Sequence, residues 1–149
     1  MRRRSMVLTC VLGLGASLLM TGCGQGDALC GAEGPVPQGL AQQDMVGTYR
    51  GEPFGTLTLK ADGTYALDDW AHYDDLKGKY QHSGATDGVW KLAISEHVEG
   101  MPYDTPLTLR SADPSKGGGS FYVSGSRQKP RIAKYSGDPD ECRLYEFNR

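Results

Sequence analysis

Apolar residues are spread along this chain in three different ways. Near the N-terminus they form one run, Met6 to Met20, behind the basic residues Arg2, Arg3 and Arg4. Between residues 24 and 43 they are sparse. Gly, Ala, Gln and Pro dominate there without periodicity, as expected of a flexible tether. From Asp44 onward the apolar residues alternate with polar ones. Leu57 and Leu59 share one face, with Thr56, Thr58 and Lys60 on the other. After Asp62-Gly63 the alternation resumes, with Tyr65 and Leu67 inward. Two period-two runs around Asp-Gly predict a β-hairpin, because an Asp-Gly turn has the twist that antiparallel strands need.

Further strands are predicted at 45–50, 79–83, 88–95, 106–110, 120–124, 130–135 and 142–147, nearly all separated by Gly, Pro, Asp or Ser. Inward candidates there include Val46, Trp90, Leu92, Ile94, Tyr122 and Leu144. The window 69–77 reads differently. Trp70, Tyr73 and Leu76 or Lys77 fall at helical spacing, Asp68 or Asp69 stands where a cap would, and Gly78 follows. That pattern predicts one short helix. Gly117-Gly118-Gly119 reads as a flexible loop, since no strand-to-helix context makes it a phosphate cradle. The fold class expected is all-β. It is a small antiparallel up-and-down barrel or sandwich of about 8 strands with one short helix.

The N-terminal run changes the picture of where this domain resides. A basic start, a short apolar stretch and a small residue before Cys23 describe an export signal. The stretch holds about 15–17 residues, fewer than the roughly 20 of a spanning helix, and contains Gly13 and Gly15. Leu19-Met20-Thr21-Gly22-Cys23 resembles the lipobox of bacterial lipoproteins. That resemblance implies a diacylglycerol thioether on Cys23 and cleavage just before it. The divisions are then a cleaved signal at 1–22, a lipidated tether at 23–43 and a β domain at 44–149. Two acyl chains hold a protein stably where one does not, so the resemblance implies membrane lipid as a partner and an address on the extracytoplasmic face of the cell membrane. An uncleaved anchor and an ordinary secretory signal remain open as alternatives. Arg2-Arg3-Arg4-Ser5-Met6-Val7 also loosely resembles a twin-arginine signal, with Met6 where Phe is usual, so the export route is open.

Removing three of the 16 basic residues while keeping all 18 acidic ones leaves the mature chain at −5. An acidic domain disfavours nucleic acid as a partner. Of four cysteines, Cys10 leaves with the signal and Cys23 is lipidated, so Cys30 and Cys142 remain. In an oxidising compartment such a pair is expected as a disulfide. Two free thiols or an intermolecular bridge are the alternatives. The bond would close a loop of about 110 residues and stabilise by several kcal/mol on chain-entropy grounds.

Gly47-Thr48-Tyr49 resembles the Gly-x-Trp start of lipocalin-like (calycin) barrels, with Tyr49 in the Trp position. The chain more closely resembles small actinobacterial lipoproteins of unassigned activity. The matching pieces are Gly47-Thr-Tyr-Arg-Gly-Glu52, Leu57-Thr-Leu-Lys-Ala-Asp-Gly-Thr-Tyr65, Gly88-Val-Trp-Lys-Leu92 and Phe121-Tyr-Val-Ser-Gly125 through Pro130-Arg131 to Asp140. The resemblance implies a lipid-anchored β domain outside the cytoplasmic membrane and transfers no catalytic residue.

Candidate chemistry is thin. His72, His82 and His97 lack metal-ligand spacing with one another or with Cys, so neither a metal nor a cofactor is expected. Asp138 to Glu141 reads as an acidic turn rather than a calcium loop. Asp68-Asp69 and Asp74-Asp75 are explained by capping and solvation, and no serine sits in a Gly-x-Ser-x-Gly elbow. The aromatics carry more interest. Trp70, Tyr73, Trp90 and Tyr122, with Tyr80 and Tyr103, are candidates to line a barrel mouth, although core packing is the favoured explanation for them. The function expected is non-enzymatic binding of a small apolar ligand or an envelope protein. An interaction or inhibitor-type module without a ligand is the alternative, and an Asp/His hydrolase a remote one.

Overall fold

The computed structural model describes residues 34–94 and 105–149. A closed barrel is built from β1 (Gly47–Gly51), β2 (Gly55–Leu59), β3 (Thr64–Leu67), β6 (Thr86–Leu92), β7 (Leu107–Ser111), β8 (Gly118–Gly125), β9 (Pro130–Tyr135) and β10 (Leu144–Asn148). Their order around the barrel is β1-β10-β9-β8-β7-β6-β3-β2, and each pairing is antiparallel. Between β3 and β6 the chain leaves the barrel to form a separate hairpin, β4 (Ala71–Asp74) with β5 (Lys79–His82). One short helix, α1 (Gln42–Met45), precedes β1. The fold is therefore an all-β, eight-stranded antiparallel barrel with one short helix, and a barrel is the form a lipocalin-like domain takes.

Alternation places the interior. Tyr49, Leu57 and Leu67 lie side by side across β1, β2 and β3, and Leu107 pairs with Phe121 across β7 and β8. Tyr49, Tyr65, Phe121, Phe147, Leu57, Leu59, Leu67, Leu107, Leu109 and Ile132 are all fully buried. The barrel is thus filled by its own side chains, as small eight-stranded barrels commonly are. Asp62-Gly63 closes the β2–β3 hairpin as its sequence predicts. The Asp62 carboxylate accepts from the Thr64 amide and hydroxyl at 2.9 and 2.7 Å, and Gly63 takes a φ of 82°. The seam between β1 and β10 shares one register pair, Arg50 with Asn148. Gly51 permits the close approach there, since a Cβ would lie 2.3 Å from the Glu146 carbonyl oxygen.

Several sequence expectations need correction. Residues 69–77 do not form the expected helix; the one short helix lies at 42–45 instead. Tyr73 pairs across the hairpin with Tyr80, the rings edge-on at 5.2 Å. Asp74 closes the turn by accepting the Lys77 amide on its carbonyl and carboxylate, and Gly78 follows at φ 61°. Aromatic spacing of three residues fits a turn of helix, but cross-strand pairing partly buries both rings, and tertiary contact outweighs propensity. Gly118 and Gly119 begin β8 rather than a loose loop. Tyr122 points outward, since Phe121 and Val123 take the interior. Leu144 is likewise only half-buried, with Tyr145 and Phe147 inside, and Ile94 is 45% exposed. The folded domain also starts before Asp44, because Leu40 sits in the core and Val36 packs against it.

Candidate functional site

The loops after β1, β3, β7 and β9 gather at one mouth of the barrel, and the β4–β5 hairpin lies across it. Contacts from several elements hold the hairpin there. Trp70 at its base meets Phe54 at 5.8 Å and Phe121 at 6.1 Å between ring centres. Tyr80 packs edge-on against Tyr145 at 5.1 Å, and the Arg143 guanidinium lies 4.1 Å over the Tyr73 ring. The glycine triplet makes room for this. A Cβ on Gly117 would lie 2.4 Å from the Trp70 ring, and one on Gly119 would lie 2.9 Å from the Lys134 Nζ.

Under the hairpin lies a pocket of about 290 Å³, lined by Phe54, Trp70, Ala71, His72, Tyr73, Lys134, Tyr135, Ser136, Gly137 and Tyr145. Its size is near the lower end of small-molecule sites, roughly 300 Å³. Rings form much of the wall, with Phe54 and Tyr145 edge-on at 4.8 Å. The polar groups are few and unusual. Lys134 lies opposite Tyr145 in β10, on the face that Ile132 and Phe147 direct into the barrel. Its ammonium sits 5.2 Å from the centre of the Trp70 ring and 5.4 Å from that of Phe121, a cation–π arrangement. Burial pushes its pKa below the ordinary lysine value. Tyr145, 7% exposed, and Ser136, 5% exposed, carry buried hydroxyls without a hydrogen-bond partner among the described residues. Ser136 Oγ lies near the Tyr80 phenol without meeting hydrogen-bond geometry, and burial chiefly raises the Tyr80 pKa. Buried polar groups are nearly always paired, so two such hydroxyls lining one pocket mark polar capacity that the fold itself does not use.

The structure brings Trp70 and Tyr73 together at this pocket and separates the other two aromatic candidates from it. Trp90 is buried at the opposite end, its Nε1 donating to the Lys60 carbonyl at 3.0 Å. Tyr122 packs on the outer surface against Tyr135, edge-on at 5.6 Å. Cys23, Cys30, His97 and Tyr103 lie outside the described residues. Cys142 is exposed beside the mouth, just after the 3-10 turn Pro139–Glu141, with a φ of 57°. Sequence reasoning missed Phe54, Lys134, Ser136 and Tyr145. The signal for Lys134 was present, because Ile132 and Lys134 have the same parity in 130–135, which places a lysine on the core face.

His82 Nδ1 contacts the Asp69 carboxylate, which also accepts the Gly84 amide at 3.2 Å, but no hydroxyl or thiol bonds to His82 among the described residues. No group of three or more metal-ligating side chains occurs among the described residues. A second, more open groove of about 380 Å³ runs along the seam, lined by Arg50, Gly51, Glu52, Gly55, Thr56, Glu146 and Asn148. Comparison of the chain with protein-family models, with curated proteins and with solved structures returns no match.

Proposed function

We propose that this protein is a cell-envelope lipoprotein whose barrel binds a small ligand at the hairpin-covered mouth and performs no chemistry on it. Acylated Cys23 holds it on the extracytoplasmic face of the cell membrane, and a Cys30–Cys142 disulfide ties the tether to the rim of that mouth. The lipobox-like ending at Cys23 supports the anchor, and the paired cysteines of an exported chain support the disulfide. The observation that carries the binding reading is the pair of unpartnered, buried hydroxyls in an aromatic-walled pocket. Since the barrel interior is filled, the ligand site is the mouth rather than an enclosed central cavity.

The test is titration of the purified full chain with a neutral bicyclic aromatic, naphthalene-2-carboxamide, followed by tryptophan emission. Saturable quenching is expected, because Trp70 lines the pocket. Ser136→Leu, which puts an apolar side chain into the space, should weaken binding about tenfold or more. Equal binding by the variant would sink the mouth reading. The seam groove favours a second reading, an interaction module, because β1 and β10 share one register pair beside it. Crosslinking from Arg50→Cys on intact cells would recover a partner under that reading.

A further inference from the structure

The ligand that suits this mouth carries a negative charge. We propose that Lys134 is the anion-binding residue of the pocket and that its ligand is a small organic carboxylate with an apolar, ring-bearing body. The inference rests on the mouth-binding reading and adds the chemical class of the ligand. It starts from an imbalance. Lys134 occupies a core-facing position of β9, where Ile132 and its neighbours across the strands are apolar. No carboxylate lies within ion-pair distance of its ammonium among the described residues. Lys134 is half-buried, and even partial removal of a lysine charge from water is costly unless an opposite charge or hydrogen bonds replace the solvent. The two aromatic faces beneath it offset only part of that cost. A methionine or leucine would fill the same space at lower cost, so the position is not explained by packing.

The surroundings say what would complete it. Gly119 leaves open the space beside the Nζ that a Cβ would crowd at 2.9 Å. Tyr145 Oη, without a partner among the described residues, and Ser136 Oγ, near only the Tyr80 phenol, belong to residues that line the same pocket as Lys134. One cation and two hydroxyl donors match the acceptor set of one carboxylate, which takes several hydrogen bonds on two oxygens. The charge count argues for a monoanion. Arg143 at the same rim is paired with Glu141 through Nη2, although its buried Nη1 has no partner among the described residues. Among those residues Lys134 is therefore the lining cation without a carboxylate partner. The rest of the wall is aromatic, from Phe54, Trp70 and Tyr73, and suits a flat apolar body. The pocket volume of about 290 Å³ limits that body to roughly two fused rings.

The experiment compares naphthalene-2-carboxylate with its neutral carboxamide on the full chain, by calorimetry and tryptophan emission at neutral pH. The wild type is expected to bind the carboxylate about tenfold more tightly or better, the scale of one charge-assisted contact. Lys134→Met is expected to bring the affinities for the two probes together, and Lys134→Arg to retain the preference. The methionine variant keeps the length of the side chain over Trp70 and Phe121, and its melting temperature, expected at or above that of the wild type, checks the fold. Equal affinity for the two probes in the wild type would overturn the anion assignment and leave the mouth reading standing. A preference that survives Lys134→Met would overturn the role of Lys134. Failure of both probes to bind would overturn the mouth reading and this inference with it.

Discussion

The two ends of the barrel are built from the same kinds of side chain and are finished in opposite ways. At the end closed by α1, the Tyr49 hydroxyl and the Asp44 carboxylate both have partners. Tyr49 Oη donates to the Met45 carbonyl at 2.7 Å and accepts from Arg149 Nη2 at 2.9 Å. Arg149 also donates to the carbonyls of Asp44 and Val46, while Arg127 pairs with the Asp44 carboxylate at 3.0 Å. At the end covered by the β4–β5 hairpin, Tyr145 and Ser136 keep unpartnered hydroxyls and Lys134 keeps an uncompensated charge. Satisfied polar groups stabilise and define a fold, whereas unsatisfied ones cost stability. Tyr65 Oη inside the barrel is also without a partner among the described residues, but Tyr145 and Ser136 are the two that share one pocket, and such a local cost is what a binding site imposes on its own domain.

Three experiments test that contrast, the first with the largest expected effect. Gly117→Ala drives a Cβ into the Trp70 ring at a φ of 105°. Overpacking and backbone strain each cost roughly 1–3 kcal/mol. Chemical denaturation should show a loss at the upper end of that range, and tryptophan emission should report a displaced Trp70. A near-neutral result would mean the hairpin rests loosely on the mouth.

Next come the two tyrosines. Tyr49→Phe removes a hydroxyl with partners on both sides and should cost about 1–3 kcal/mol. Tyr145→Phe removes one without a partner and should cost about 0.5 kcal/mol or less, or stabilise. Equal losses in urea denaturation would erase the difference between the ends.

The smallest effects are those of pH. The Arg127 guanidinium beside Asp44 holds its carboxyl below the usual carboxylate value. The contribution is present above the unfolded value of about 3.9 and is lost as pH falls through the lowered folded value. Asp44→Asn should flatten that acid limb of a melting-temperature profile. Lys134 gives a slope of the same sign from a different cause, the desolvation of its charge. Burial lowers its pKa, so the unfolded chain binds the extra proton between the folded value and the unfolded value of about 10.4. Stability should therefore rise with pH across that window, with Tyr73, His72 and Tyr145 lining the same pocket. Lys134→Met should remove the rise.

Legibility along the chain followed how local each determinant was. The β2–β3 hairpin was readable because its alternation and its Asp-Gly turn lie within a dozen residues. The 69–77 window was misread because a three-residue aromatic spacing suits a helical turn, and only Tyr80 and Tyr145 decide for a strand pair. In β8 and β10 two adjacent aromatic or apolar residues compete for the inward face, and sequence pattern wrongly assigned it to Tyr122 and Leu144. The structure put Phe121 and Tyr145 inside because their cross-strand partners, Leu107 and Lys134, face that way. Trp70 and Tyr73 were legible as site aromatics by type, whereas Trp90 and Tyr122, of the same type, ended elsewhere.

By itself the sequence determined the all-β class, the turns closed by Asp, Gly and Pro, and the lipobox-like ending at Cys23, because each depends on neighbours a few residues apart. Tertiary structure alone decided that the barrel closes, that its interior is filled, and that a lysine from β9, a tyrosine from β10 and a tryptophan before β4 meet at one mouth. The physical reason is range. Alternation assigns a face to each strand, but which strands become neighbours, and which mouth keeps unpaired polar groups, is set by contacts between residues far apart in the chain.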